Sequence, residues 1–70
     1  MDNTRIAQLR QQYPPHTKIK LQAMHDPYAV PAGTIGTVTS VDDLGTIHVN
    51  WENGSTLGLI PDQDQFYKLT

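Results

Sequence analysis

The sequence predicts a mainly β domain, a small five-stranded barrel with one short N-terminal α-helix. The stretch from Gly33 to Ile60 reads as three short strands joined by two tight turns. A period-two pattern at 17–24 predicts a strand before it, and the segment 66–69 predicts a short closing strand after it. We expect a barrel because closure removes the exposed edges of a small sheet.

The N-terminal segment has the pattern of an amphipathic helix. Polar residues at 2–4 can each cap its first turn. Ile6, Leu9 and Tyr13 then fall on one helical face, and Pro14 ends the helix. A helix of about ten residues is marginal alone in water, so its apolar face must dock on the rest of the domain. It caps an open end of the barrel or, as the less favoured alternative, binds a partner.

The 70 residues form one domain, with the helix and linker at 1–16 packed on a barrel at 17–70. A chain of this size buries only about 60 % of its unfolded surface, so its stability margin is roughly a few kcal/mol. There are no cysteines, so neither a disulfide nor a thiolate zinc site can stabilise it. A compact apolar core must do so, and a homo-oligomer is a further route to stability.

The first predicted strand alternates in polarity. Lys18 and Lys20 point outward, whereas Ile19, Leu21 and Ala23 point inward. This period of two is that of a strand with one face in the core and the other in water.

A proline-punctuated loop from His25 to Gly33 follows this strand. Pro31 and Gly33 suit positions i+1 and i+3 of a type I turn. A loop of this length in so small a domain is either packed on the barrel, through Tyr28 and Val30, or functional. We expect both.

The middle strand of the meander has one apolar and one polar face. Ile47, Val49 and Trp51 share the first face, and His48 and Asn50 share the second. An aromatic residue can serve as a ligand platform. The phase of Trp51 with two aliphatic residues instead predicts a core position.

The loop after Trp51 is predicted from the residues that must be buried beyond it. A two-residue loop would direct Leu57 and Leu59 to the wrong face of the sheet. The three-residue loop Glu52–Gly54 pairs Trp51 with Ser55 and directs both leucines inward. Such a loop is a type I turn followed by a glycine in the left-handed region.

The turn between the first two strands of the meander sets a second register. It places Val38 opposite Val49 and Gly36 opposite Trp51, where a glycine makes room for the indole. In this register Val41 falls either on the outer face or in a bulge.

Charge and motifs disfavour several classes of function. Net charge is −2 and the pI is about 5.8, whereas a nucleic-acid-binding domain usually carries a basic excess. Lys18, Lys20 and Lys68 can still form a local patch, so nucleic acid is the alternative partner. The sequence contains no calcium-binding loop, phosphate-binding glycine loop or nucleophile elbow. We therefore predict no enzymatic activity, no cofactor and no metal site.

The distribution of apolar residues bears on localisation. The N-terminal segment is polar and has no apolar h-region of the kind that marks a secretory signal. Mean hydropathy is −0.46, and no apolar run approaches the roughly 20 residues that cross a bilayer. The sequence predicts a cytoplasmic protein without a membrane partner.

A candidate surface for a protein or peptide partner is defined by polar residues from three places. These are the loop that begins at His25, the first turn of the meander, and the polar face of the middle strand. Asp is expected in a turn because it bonds nearby backbone, so a cation site there is the less favoured interpretation. The outer face is either the solvated side of a sheet or a shallow contact surface. The candidate surface comprises His25, Asp26, Tyr28, Asp42, Asp43, His48 and Asn50.

Three segments carry a resemblance to a known family: LRQQYPPHTKIKL, MHDPYAVPAGTIGTVTSVDDLGTIHVNWENGSTLGLIP and DQFYKL. They cover nearly the whole chain, which resembles short bacterial and phage-associated proteins catalogued as a domain of unknown function. The inner part GTVTSVDDLGTIHVNWENG is also similar to SH3-like modules of the Mind-bomb/HERC2 and KOW types. The resemblance implies an SH3-like barrel and a bacterial, phage or mobile-element setting. It implies no activity, and the basic residues that KOW modules use on RNA are missing.

Overall fold

The computed structural model describes residues 3–24 and 29–69. They form one helix and one antiparallel sheet with the strand order β3-β2-β1-β4. The elements are α1 (Asn3–Gln12), β1 (Lys18–Ala23), β2 (Ile35–Val41), β3 (Ile47–Trp51) and β4 (Gln65–Lys68). The prediction of a mainly β small domain with an N-terminal helix is confirmed.

The helix packs on the sheet through the predicted stripe. Ile6 and Leu9 are buried, and Tyr13 is half-buried beyond the last helical turn. The backbone N–H of Tyr13 still bonds to the carbonyl of Leu9 at 2.8 Å, and Pro14, which has no N–H, cannot continue the ladder. The helix is therefore held by burial of its apolar face, as its length required.

A tight turn redirects the chain from α1 into β1. The N–H and Oγ1 of Thr17 both donate to the carbonyl of Pro14, at 3.2 and 2.6 Å. His16 has a φ of 76°, in the left-handed region that residues other than glycine rarely occupy. Its N–H donates to the carbonyl of Val38 at 2.8 Å, which ties the turn to β2.

The register of β2 against β3 is the predicted one. Gly36 lies opposite Trp51, and both are buried. A shift in the register follows Val38, so that Val41 pairs with Ile47 and is buried. Of the two alternatives for Val41, the structure therefore has the bulge, which rotates the side chain into the core.

The loop after β3 has three residues, as burial of the following leucines predicted. The N–H of Trp51 donates to the carbonyl of Ser55 at 2.9 Å, and Gly54 N–H donates back to Trp51 at 3.0 Å. Gly54 has a φ of 90°. This is the type I turn with a left-handed glycine.

The expected fifth strand is not present in the described residues. Beyond the loop, the chain meets β3 at a single bridge, Ile47 with Leu59. The indole Nε1 of Trp51 donates to the carbonyl of Leu57 at 2.8 Å. Because the Leu57 carbonyl bonds to a side chain and not to the backbone of β3, the hydrogen-bond ladder with β3 is interrupted between Ser55 and Leu59. The described sheet has four strands, and a closed five-stranded barrel is not shown.

The turn before β2 lies one residue later than predicted. The N–H of Thr34 donates to the carbonyl of Pro31 at 3.2 Å, so Pro31 is the first residue of the turn. Gly33, at the third position, has a φ of 90°, which suits a type II turn. Val30 is buried as expected, whereas Tyr28 lies outside the described residues.

Candidate interaction surface

The turn between β2 and β3 is organised around the carboxylate of Asp42. Its Oδ1 accepts from the backbone N–H groups of Leu44 at 2.9 Å and Thr46 at 3.0 Å. The N–H of Gly45 donates to the carbonyl of Asp42 at 3.0 Å, and Gly45 has a φ of 84°. The predicted turn role of Asp42 is confirmed, because its side chain bonds the backbone as an Asx turn does.

The other carboxylate oxygen of Asp42 reaches the first polar residue of β3. Nε2 of His48 donates to Oδ2 of Asp42 at 2.8 Å. The His48 hydrogen bond, with smaller contributions from the N–H groups of Thr46 and Leu44, holds the pKa of Asp42 below its ordinary value of 3.8. The pair joins the turn to β3, and both carboxylate oxygens of Asp42 accept hydrogen bonds within the fold.

Asp42 makes the free energy of unfolding depend on pH. Because its pKa is lowered by folding, its contribution is present above its unfolded pKa and is lost as pH falls through the folded value. We expect Asp42→Asn to destabilise the chain relative to wild type above about pH 4 and to match it more closely below. Urea unfolding from about pH 6 to about pH 2 measures this difference. Parallel curves for the two proteins would contradict it.

Asp43 is used within the fold as well. Nη2 of Arg10 donates to Oδ1 of Asp43 at 2.8 Å, and Nε of Arg10 donates to the carbonyl of Val41 at 3.1 Å. The Arg10 side chain therefore links α1 to the end of β2. The ion pair is exposed, so it contributes only about 0–1 kcal/mol. The sequence carried no signal of this contact, because Arg10 and Asp43 are 33 residues apart.

Asn50 lies on the outer face of the sheet and is exposed. Directly opposed residues of an antiparallel pair share a face. Pairing therefore continues the row from Asn50 to Thr37 on β2 and Lys18 on β1. Nζ of Lys18 donates to Oγ1 of Thr37 at 2.6 Å within this row.

A second row lies beside the first on the same face. Ile35 of β2 pairs with Lys20 of β1, and Lys20 pairs with Tyr67 of β4. Tyr67 is 41 % exposed and Ile35 is half-buried. We call these two rows the outer face of the sheet. The contribution of β1 and β4 to this face could not be predicted from the sequence, because only strand pairing reveals which residues lie side by side.

The structure brings together only part of the predicted surface. Asp42 and His48 are bonded, Asp43 is tied to the helix, and Asn50 stands apart on the outer face. The other three predicted members lie outside the described residues: His25, Asp26 and Tyr28.

The family of the chain is shown by comparison with family models. The model described as "Domain of unknown function (DUF4314)" matches residues 2–69. The chain belongs to the DUF4314 family. The expected membership of a family of unknown function is thereby confirmed. The searches of curated proteins and of solved structures returned no match.

The three lysines do not form one patch in this DUF4314 domain. Lys18 and Lys20 belong to the outer face, whereas Lys68 pairs with the fully buried Ile19 and so lies on the other face of the sheet. Nζ of Lys68 sits 5.4 Å from the centre of the Tyr13 ring, near the end of α1. The proposed nucleic-acid patch is reduced to two lysines, one of which bonds Thr37.

A groove of about 440 Å³ lies between α1 and the edge of the sheet at β4. The Tyr13 and Phe66 rings, 5.5 Å apart between centres, form part of its wall. Its charged groups are engaged, since Arg5 pairs with Asp62 and the Asp64 carboxylate accepts from the N–H of Ile60 at 2.8 Å. Four amide side chains also line it: Gln8, Gln12, Gln22 and Gln65.

Two further findings concern the described part of this DUF4314 domain. No group of three or more histidine or acidic side chains within 3–24 and 29–69 could hold a metal ion. The helix in these ranges is too short and too polar to cross a membrane.

Proposed function

We propose that this DUF4314 domain is a non-enzymatic binding module for a protein or peptide, and that it contacts its partner through the outer face of the sheet. The observation that carries the proposal is the composition of that face. An exposed tyrosine and a half-buried isoleucine flank Lys20, beside the polar row that ends at Asn50. Lys18, Asn50 and Tyr67 of these rows are exposed. Tyrosine is among the residues that are enriched at protein interfaces.

An SH3-like barrel is part of the same proposal. Leu59 bridges to β3 at one edge of the sheet, and β4 forms the other edge. The chain between them crosses from one edge to the other within a few residues, which supports a barrel whose edges are joined by that crossing without strand pairing along β4 in the described residues. A cytoplasmic setting in bacteria, phages or mobile elements rests on the sequence pattern and the family resemblance.

The test compares two arginine substitutions in affinity purification from cells that express the chain as bait. Asn50→Arg places a bulky charge on the outer face, and Leu44→Arg places the same charge at the turn, where Leu44 is 81 % exposed. We expect the amount of partner protein recovered with Asn50→Arg to be at least about tenfold lower than with wild type. Recovery with Leu44→Arg should match that with wild type. Equal recovery with both variants would remove the outer face from consideration.

Nucleic acid remains the alternative partner, through Lys18 and Lys20 on the same face. Binding to phosphates weakens steeply as salt rises. The net charge of −2 and the position of Lys68 on the opposite face disfavour it. A mobility shift with single- or double-stranded probes that disappears with salt, and that Lys18→Ala and Lys20→Ala weaken, would favour this alternative over a protein partner.

A further inference from the structure

The strand β4 forms an edge of the sheet whose outer side is unpaired among the described residues. Leu69 N–H donates to the carbonyl of Lys18 at 2.9 Å. Along an antiparallel ladder every second residue bonds to the same neighbour, so Tyr67 also directs its backbone groups toward β1. Phe66 and Lys68 therefore direct their N–H and C=O groups away from the sheet. We call this row of donors and acceptors the β4 edge.

The β4 edge lies directly beside the groove. The Phe66 and Lys68 side chains share the face of Leu21 and Ile19, which is the face on which Tyr13 packs. An extended segment added to β4 would place the side chain opposite Phe66 on that same face. That side chain would enter the groove, and the one opposite Lys68 would lie beside the ammonium group.

We propose that the β4 edge accepts an extended segment of a separate polypeptide as an added strand, with an uncharged side chain in the groove and a carboxylate beside Lys68. Backbone bonds to Phe66 and Lys68 would supply sequence-independent affinity, and the alternate side chains would supply specificity. The groove favours an uncharged side chain because its arginine and aspartate are engaged and its amides both donate and accept. This site is separate from the outer face.

Charge argues against a second copy of the chain as the occupant. The N–H of Asp64 is already bonded to the carbonyl of Ile60, so the twofold register that bonds both outward N–H groups of β4 is centred on Tyr67. It sets Phe66 of each copy opposite Lys68 of the other. The two Lys68 side chains would then be diagonal neighbours, about 7–8 Å apart at the backbone, and would repel each other. A separate segment that carries a carboxylate at this position has the complementary charge.

The test uses proline to remove one outward N–H without touching the ladder to β1. Lys68→Pro eliminates the N–H that the added strand needs, and proline is tolerated on an edge strand when its nitrogen faces solvent. Lys68→Ala is the matched control, because it removes the same side chain and keeps the N–H. Thermal unfolding of both variants establishes that they remain folded.

Ligands come from a phage-displayed library of random peptides of about twelve residues, selected on the immobilised wild-type chain, because such a peptide is longer than an ordinary strand of about 3–10 residues. We expect selected peptides to carry an acidic residue two positions from an uncharged one and to shift the amide resonances of Phe66, Lys68 and Gln12. Lys68→Pro should weaken the affinity for the selected peptides at least about tenfold more than Lys68→Ala does.

Four outcomes would overturn the proposal. They are a failure to enrich any peptide, equal binding by Lys68→Pro and Lys68→Ala, resonance shifts confined to the outer face, and a dimer that Lys68→Pro abolishes, which would assign the β4 edge to a second copy. Asn50→Arg should leave peptide binding at the β4 edge unchanged. Failure here is thus distinguishable from failure of the outer-face proposal.

Discussion

Replacement of Trp51 by alanine should leave the chain largely unfolded at room temperature. The side chain is only 3 % exposed and packs over Gly36 in the centre of the core. Truncation of a buried tryptophan costs about 3–5 kcal/mol. A single core in a domain of this length rarely supplies more than roughly 3–5 kcal/mol of stability. The substitution also removes the indole N–H that satisfies the carbonyl of Leu57. Urea unfolding followed by far-ultraviolet circular dichroism measures the loss.

Trp51→Phe separates the two contributions. It keeps most of the buried aromatic area and deletes the Nε1 donor, so we expect a folded protein that is less stable by about 1–3 kcal/mol. Leu44→Ala serves as the surface control and should change the free energy of unfolding by less than about 0.5 kcal/mol. If Trp51→Ala unfolds at the urea concentration of the wild type, the indole is not the anchor of the core.

The register of the sheet was predictable because burial allows only one solution at several positions. Leu57 and Leu59 had to face inward, and this requirement selected the three-residue loop and the pairing of Trp51 with Ser55. The same reasoning placed Gly36 opposite Trp51. In both hairpins the apolar residues recur with a period of two, so a slip of the register by one residue would expose the core.

The features that were not predictable depend on side chains that meet across the fold. A period-two pattern around Leu57 indicates a strand, yet the indole of Trp51 takes the Leu57 carbonyl and the ladder is interrupted. The bulge that turns Val41 inward adds one residue that no local pattern reveals.

The hydrogen bonds of the candidate surface were hidden from the sequence for a related reason. Its acidic residues were judged by composition, whereas their partners are fixed by the fold. Asp42 is occupied by two backbone N–H groups and by His48, and Asp43 is bonded by Arg10 from the helix. Exposed polar residues of a turn therefore indicate little about binding until their hydrogen bonds are known. The strand order supplied what the sequence lacked, since it shows that residues of β1 and β4 share the outer face with Asn50.

Gly36→Ala should destabilise the chain by about 1–3 kcal/mol, although alanine is the better residue in most strands. A Cβ at this position would lie 2.4 Å from Cγ1 of Val49 and 2.7 Å from Cε3 of Trp51. Neither neighbour has room to move, because both are buried in the core. Gly36 has no positive φ, so backbone strain does not contribute. Without the contact, the gain in backbone entropy would stabilise the variant by roughly 0.5–1 kcal/mol. The sign of the change in unfolding free energy therefore identifies the cause.

A double-mutant cycle with Val49→Ala tests the contact itself. Val49→Ala removes the methyl group that lies nearest to the added Cβ, and it costs stability of its own by leaving a cavity. In that background Gly36→Ala should be less destabilising, so the two changes should be non-additive by about 1 kcal/mol. Part of the penalty should persist, because Cε3 of Trp51 remains within 2.7 Å of the same position. Strict additivity would mean that Val49 does not constrain position 36, and the close approach of β2 to β3 at the indole would then need another explanation.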